Sequence, residues 1–246
     1  MMDEETAELI RETMDKPRWV ATAQALMKLL DPQIIKSFGT KYIWWGDYHW
    51  RLYYSKTKNK YMGHVDYIVD YFRDREGRLL DIGCGEGLIA KRITDESDLE
   101  CIGIDSSPLA IELAHQHGMS NCVLMPFEEF PEKEDYDYVF LGDTLEHLEN
   151  PKLALRKTKK LLADDGALFI SFPTQDVLGI GDLHLFTAES ARELIELFFT
   201  VESFDFCEEE LNQMYFVARK PEFFYRENEE RLKEQESGSP KGESNV

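Results

Sequence analysis

The sequence has little positive charge and no long apolar run. Its 246 residues carry 28 Lys and Arg against 48 Asp and Glu, which gives a formal net charge of −20. A surface of this sign repels phosphate backbones and anionic lipids, which disfavours nucleic acid and membrane surfaces as partners. No stretch approaches the roughly 20 apolar residues that span a bilayer, and the acidic start of the chain lacks the apolar core of a signal peptide. We therefore expect a cytoplasmic protein without a membrane partner.

Cysteine is also scarce, with 4 residues in the whole chain. They are widely spaced, no two form a Cys-x-x-Cys pair, and three of them lie in apolar runs where Cys behaves as a small hydrophobe. This pattern is typical of a reducing compartment and argues against a disulfide framework or a zinc site. The four are Cys84, Cys101, Cys122 and Cys207.

Hydrophobic residues make up 43% of the chain, which is enough for a sizeable core. From residue 78, short apolar runs typical of strands alternate with stretches in which the apolar residues have helical spacing. Short apolar strands are predicted at 79–82, 101–104, 122–125, 138–141 and 167–172, with helices at 88–94, 108–116, 152–162 and 187–198. This alternation is typical of a parallel sheet with helices on both faces. The last two strands, 201–206 and 214–218, leave no room for a crossover helix between them, so they must pair antiparallel.

The composition divides the chain into three parts. Residues 1–74 form an N-terminal extension with amphipathic helices and a dense aromatic cluster at 42–54. Residues 75–220 form the α/β domain. Residues 221–246 are charged and then rich in Ser, Gly and Pro, which predicts a disordered tail.

The strongest motif joins the first strand to the helix that follows it. Residues 81–87 read Asp-Ile-Gly-Cys-Gly-Glu-Gly. Glycine allows sharp turns and close approach of a ligand to the backbone, and the next helix directs free N–H groups at the turn. A dinucleotide fingerprint would have glycine at position 88, but Leu88 stands there.

Asp105 ends the second strand, 22 residues after Gly83. A carboxylate at this place in a nucleotide-binding sheet accepts both hydroxyls of a ribose. The alternative is that Asp105, Ser106 or Ser107 caps the next helix. With the glycine loop beside it, we favour ribose binding.

Together these motifs resemble the class I S-adenosylmethionine-dependent methyltransferases over residues 78–218. The resemblance implies a Rossmann-like, seven-stranded α/β sheet, mostly parallel with an antiparallel final strand, helices on both faces and an N-terminal helical extension. It implies S-adenosylmethionine as the cofactor. Asp81 would bind the ammonium of the cofactor; the alternative is that it anchors its own loop by accepting hydrogen bonds from backbone N–H groups. At Gly83 and Gly85 the backbone would lie close to the methionine part of the cofactor. The full set of implied cofactor residues is Asp81, Gly83, Cys84, Gly85, Gly87, Asp105, Ser106, Phe127, Glu128 and Asp143.

The adenine contact departs from the family pattern. Family members carry an Asp after the third strand, whereas this chain reads Met125-Pro126-Phe127-Glu128. We expect Phe127 to cover the adenine ring and Glu128 to accept from its amino group.

The fourth strand runs into Asp143-Thr144-Leu145-Glu146-His147. The resemblance to the family implies that this segment passes beneath the transferable methyl. The Glu-His pair resembles the branch that includes the ubiquinone-biosynthesis O-methyltransferases. An acceptor that carries a proton needs a base, and histidine titrates near neutrality. The candidate bases are His147 and His184; alternatively, each holds local structure. A metal site built from Asp143, Glu146 and these two histidines is disfavoured, because the second histidine of the metal-using branch is absent.

The acceptor pocket must come from the extension and from the loop at 173–186. Aromatic faces suit a sulfonium cation, and Trp45, Tyr48, His49 and Trp50 are the candidate substrate residues. A core seam is the equal alternative. An aromatic site favours a small organic acceptor, with O-methylation slightly ahead of N- or C-methylation. The competing hypotheses are an RNA or protein methyltransferase, a nicotinamide oxidoreductase and a non-catalytic cofactor-binding partner subunit. The sequence leaves the oligomeric state open.

Overall fold

The computed structural model describes residues 60–132, 135–174, 182–207 and 213–224. Helix α1 (Lys60–Phe72) leads into strand β1 (Glu76–Ile82), helix α2 (Leu88–Glu96), strand β2 (Asp98–Asp105), helix α3 (Pro108–Gln116) and strand β3 (Cys122–Leu124). Strand β4 (Tyr136–Gly142), helix α4 (Pro151–Leu161) and strand β5 (Leu162–Pro173) follow. The described chain closes with helix α5 (Ala188–Glu196) and strands β6 (Thr200–Cys207) and β7 (Gln213–Arg219).

The seven strands form one sheet in the order β3-β2-β1-β4-β5-β7-β6. The first five are parallel, and β7 runs antiparallel to both of its neighbours, β5 and β6. The predicted seven-stranded, mostly parallel Rossmann-like sheet with its antiparallel final strand is therefore confirmed. Because the parallel strands all end at one edge, the loops that follow them meet there.

Successive side chains along each strand point to opposite faces of the sheet, and each face has its own hydrophobic core. Helices α1, α2 and α3 cover one face of the sheet, where Leu79 and Phe169 are buried. Helices α4 and α5 cover the other face, where Leu80 and Ile170 are buried. Near-continuous apolar strands of this kind need both faces covered, and the predicted helices on both faces are confirmed.

Strand β5 begins earlier than the sequence suggests. The Asp164-Asp165-Gly166 turn predicts a start at Ala167, but the strand already pairs with β4 at Leu162. The register between β4 and β5 then shifts, so the acidic residues form an irregularity within the strand and do not separate it from the helix. Gly166 allows this close approach, since a Cβ there would lie 3.0 Å from the Tyr136 carbonyl oxygen.

The local sequence determines where helix α5 begins and which face of helix α1 packs on the sheet. Thr187 caps α5 in a capping box with Ser190. Helix α1 packs its apolar face, with Val65, Ile68 and Phe72, on the sheet and extends the core into the predicted extension. None of the helices in the described ranges has the length and hydropathy of a membrane span.

Candidate functional site

The glycine loop is tied to the neighbouring strand by its own backbone. The N–H groups of Gly83 and Cys84 both donate to the carbonyl oxygen of Ile104, at 2.8 and 3.0 Å. Gly83, Gly85 and Gly87 have φ values of 79°, 54° and 77°, in the left-handed region that side chains other than glycine rarely adopt. Cys84 turns its side chain into the core, so only its backbone belongs to the loop surface.

Asp105 joins this loop to the next helix. One carboxylate oxygen accepts from the Gly85 N–H at 3.0 Å, and the other accepts from the Ser107 N–H at 2.8 Å. The cap of α3 is Ser107, whose hydroxyl accepts from Ala110 N–H. The neighbouring Ser106 is exposed. Each Asp105 oxygen keeps lone-pair capacity for a further donor, such as a hydroxyl.

Two carboxyl groups are thus buried beside the loop, Asp81 and Asp105, at 2% and 7% exposure. Burial, and then the charge of Asp105, raises the pKa of Asp81 to about 8. Burial also raises the pKa of Asp105, against backbone hydrogen bonds from Ser107 and Gly85 that lower it. Among the described residues no cation offsets the shift at Asp81. The pair therefore fits a ligand that brings an ammonium group and hydroxyl donors.

The two residues predicted to contact the adenine differ in their burial. Phe127 is buried in the core, and Glu128 is exposed beside it. The Lys157 ammonium donates to the carbonyl oxygens of both residues, at 2.7 and 2.9 Å. The turn that carries them is therefore fixed at the carboxyl end of β3.

Asp143 follows β4 with a φ of 47°, the one left-handed non-glycine residue in the described ranges. Its N–H donates to Ser171, and its carboxylate accepts from the Ser171 hydroxyl at 2.8 Å and the Gln213 amide at 3.0 Å. Thr144 packs directly on the glycine loop: its hydroxyl donates to the Ile82 carbonyl at 3.0 Å. A Cβ added at Gly83 would lie 2.5 Å from that hydroxyl oxygen. The ends of β1 and β4 therefore form one surface.

The Glu-His pair lies in a short turn at Leu145–His147. Glu146 is buried, and burial together with the charge of Asp143 raises the pKa of its carboxyl well above the usual range. His147 is half-buried, with Nδ1 3.4 Å from Asp182 Oδ1, and its charge lies close enough to Asp105 to lower the pKa of that carboxyl. His147 therefore lies within electrostatic reach of Asp105.

The loop that carries His184 is held by contacts with the backbone of Glu146 and Leu148. The Glu146 carbonyl accepts from the N–H groups of Leu183 and His184, at 2.7 and 3.1 Å. The ring Nε2 of His184 lies 2.9 Å from the Leu148 carbonyl oxygen. That contact anchors the loop beside Leu148.

The structure adds residues that the sequence analysis did not single out. His64, on α1, is 3% exposed, and its Nδ1 lies 2.8 Å from the Tyr215 hydroxyl. Its Nε2 lies 3.9 Å from Asp143. The available signal was helical spacing, because His64 shares the buried face with Ile68 and Phe72. The predicted substrate residues Trp45, Tyr48, His49 and Trp50 lie outside the described residues. Within the described ranges, no three His, Cys, Asp or Glu side chains cluster as metal ligands.

Comparisons with known proteins identify the family and the fold of the chain. The family model described as "Methyltransferase domain" matches residues 53–215. The ubiquinone biosynthesis O-methyltransferase of Glaesserella parasuis is 30% identical over 105 residues, which cover 38% of this chain and 44% of that protein. The enzyme of the same name from Photobacterium profundum is 27% identical over 141 residues, 54% of this chain and 58% of that one. The chain thus matches about half the length of these curated relatives.

Solved structures share the fold. The magnesium protoporphyrin IX methyltransferase of Synechocystis, with bound SAM, superposes with a TM-score of 0.59 at 16% identity, covering 78% of this chain and 98% of that one. The N-methyltransferase NodS of Bradyrhizobium japonicum, in complex with S-adenosyl-L-homocysteine, gives a TM-score of 0.57 at 19% identity, covering 70% and 91%. At these identities the likeness shows a common fold.

Proposed function

The chain belongs to the methyltransferase-domain family and has the class I methyltransferase fold, and on this premise we propose that it is an S-adenosylmethionine-dependent methyltransferase for a small organic acceptor. The observation that carries the proposal is the pair of buried carboxyl groups on either side of the glycine loop. Asp81 would take the ammonium of the cofactor and Asp105 the ribose hydroxyls. The left-handed glycines keep side chains away from the space between them.

The cofactor supplies a methyl group already activated by its sulfonium, so the protein acts chiefly by alignment. Phe127 and Glu128 would line the adenine end of the site, and Asp143 would bind the cofactor at the opposite end, beside Thr144. His147 and His184 remain the candidate bases for an acceptor that carries a proton.

Transfer to oxygen is the favoured reaction, since the curated relatives named above are O-methyltransferases. Transfer to nitrogen is the second candidate, because the fold is shared with NodS, an N-methyltransferase. The net charge of −20 disfavours RNA as the acceptor. A non-catalytic partner subunit would need the same cofactor residues but no base.

The division of the chain is part of the proposal. Residues 1–74 would cap the site and supply the acceptor pocket through Trp45, Tyr48, His49 and Trp50. Residues 75–220 would bind the cofactor, and residues 221–246 would form a tail outside the fold. We place the protein in the cytoplasm, with a small molecule as its partner.

Two measurements test the function. Calorimetry should show binding of S-adenosylhomocysteine and none of NAD; the opposite result would support an oxidoreductase. Incubation with cofactor labelled in the methyl group and a panel of phenols, amines and RNA should then label a small molecule. Label in RNA alone would overturn the acceptor class, and binding without any transfer would favour the partner-subunit alternative.

A further inference from the structure

The glycine loop is anchored by strand β2 and also by the end of helix α3. Towards β2, its N–H groups donate to the end of the strand. Towards α3, the ring Nδ1 of His117 lies 3.1 Å from the carbonyl oxygen of Glu86. A carbonyl oxygen can only accept a hydrogen bond, so Nδ1 carries the proton and donates it. His117 thus binds the loop through the main chain of a residue 31 positions away.

The end of α3 gives His117 a fixed position. The Gly118 N–H donates to the His115 carbonyl at 3.1 Å, and the Met119 N–H donates to the Ala114 carbonyl at 2.8 Å. This pair of bonds, with Gly118 at a φ of 92°, is a Schellman motif. It makes His117 the C-cap of the helix. The imidazole therefore projects from a backbone that the motif holds in place.

The same helix end packs closely on the glycine loop. A Cβ added at Gly87 would lie 3.1 Å from the Ala114 Cβ and 3.2 Å from the Met119 Cγ. These apolar contacts set the spacing between helix and loop. Because apolar contact has no direction, it does not fix how a peptide group of the loop is turned. The hydrogen bond from His117 supplies that direction.

The bond from His117 fixes one peptide plane of the loop. The Glu86 carbonyl and the Gly87 N–H belong to the same planar group. His117 binds its oxygen, and its N–H donates to the Cys84 carbonyl at 3.0 Å. The Gly87 carbonyl in turn accepts from the Lys91 N–H, in the first turn of α2, at 2.9 Å. Because glycine is the most flexible residue, a loop with three glycines depends on such bonds for its shape.

A second histidine at the end of α3 makes the same kind of contact with a different element. The ring Nε2 of His115 lies 2.7 Å from the carbonyl oxygen of Cys122, in strand β3. The two histidines therefore attach the helix end to two places, His115 to an edge strand of the sheet and His117 to the glycine loop. The His117 contact acts on the segment to which the proposed function assigns the methionine part of the cofactor.

We propose that His117 is a positioning residue for cofactor binding: by holding the Glu86 carbonyl, it keeps the ligand-free glycine loop in the conformation that binds S-adenosylmethionine. The inference rests on the proposed function, and His117 itself need not touch the ligand. A loop that is already ordered loses less conformational freedom on binding. The hydrogen bond therefore strengthens binding without adding a contact to the cofactor.

Calorimetry with S-adenosylhomocysteine on the full chain tests the role of His117. His117→Ala removes the donor and should weaken binding about 2- to 10-fold, the range for one hydrogen bond. His117→Asn has an amide N–H at the position of Nδ1, so it should bind within about two-fold of the wild type. His115→Ala is the matched control, because it removes the same kind of bond from the same helix end. It should lower the Tm and leave the affinity within about two-fold of the wild type.

Amide hydrogen exchange in the ligand-free protein follows the loop directly. His117→Ala should speed exchange of the Gly87 and Lys91 N–H groups, whereas His115→Ala should leave both at the wild-type rate. Thermal unfolding checks that each variant is folded. Wild-type affinity in His117→Ala, an equal loss in both Ala variants, or no recovery in His117→Asn would overturn the positioning role. Failure of the wild-type protein to bind S-adenosylhomocysteine would instead overturn the proposed function, and the exchange rates would still show whether His117 fixes the loop.

Discussion

The carboxyl group of Asp81 lies inside the sheet next to a second buried acid, Asp105. Burial and that neighbour raise the pKa of Asp81 to about 8, so at neutral pH much of the ligand-free protein carries Asp81 as the neutral acid. A ligand ammonium needs the ionised form. Binding of such a ligand near neutrality would therefore include the loss of a proton from Asp81.

This predicts that affinity for S-adenosylhomocysteine rises with pH. The ionised fraction of Asp81 grows by up to about ten-fold per pH unit below its pKa and levels off above about 8. Calorimetry from about pH 6 to about pH 8, below the range in which the ligand ammonium itself loses its proton, should show that rise. Asp81→Asn should bind more weakly and without this dependence. A flat profile in the wild-type protein would contradict the ammonium role of Asp81.

Asp105 serves the protein and the ligand with the same two oxygens. Asp105→Ala removes the ribose acceptor and also releases the Gly85 and Ser107 N–H groups, so we expect no measurable binding of S-adenosylhomocysteine. Asp105→Asn keeps one acceptor oxygen and should bind about 10- to 100-fold more weakly than wild type, the cost of about 1.5–3 kcal/mol for a hydrogen bond to a charged group. Unchanged calorimetric affinity in the Ala variant would overturn the ribose assignment.

At the scale of elements, β2 and the glycine loop approach each other at Gly103. A Cβ at this position would lie 2.7 Å from Cys122 Sγ and 2.8 Å from the Cys84 Cβ. Gly103→Ala should therefore destabilise the fold by about 1–3 kcal/mol, as overpacking does, and weaken cofactor binding by moving Cys84. Denaturant unfolding and calorimetry measure the two effects. The double variant with Cys122→Ala removes the nearest atom and should recover part of the stability; no recovery would place the strain elsewhere.

The elements themselves were largely predictable. Apolar runs bounded by turns gave the strands, and the spacing of Gly83 and Asp105 gave two anchors of the proposed site. The position of β7 between β5 and β6 was not predictable, because a short connection specifies an antiparallel pair but not which strand lies beside β5. The network around Asp143 was also missed. Its hydrogen bonds join residues 28 and 70 positions apart, and such contacts leave no local spacing in the sequence.

For the whole molecule, the proposed cofactor site links three parallel strands, so ligand binding should stabilise the entire described fold. At about 100 times its Kd, S-adenosylhomocysteine should add about 2.7 kcal/mol to the free energy of unfolding. For a chain of this size this corresponds to a Tm increase of about 5–10 °C. Thermal unfolding with NAD in place of S-adenosylhomocysteine is the control and should show no increase. An equal increase with NAD would argue for a nucleotide site of broader specificity.

The placement of β7 has a consequence for synthesis of the protein. The residues that would hold the ribose and the ammonium emerge from the ribosome early, whereas Gln213 and Tyr215 follow much later and complete the contacts behind Asp143. Under the proposed function, a nascent or prematurely terminated chain that stops before β7 would have the residues for the adenosyl half of the site without the contacts behind Asp143. Such a fragment would lack a complete transfer centre, so methylation would begin only after nearly all of the sheet has been translated.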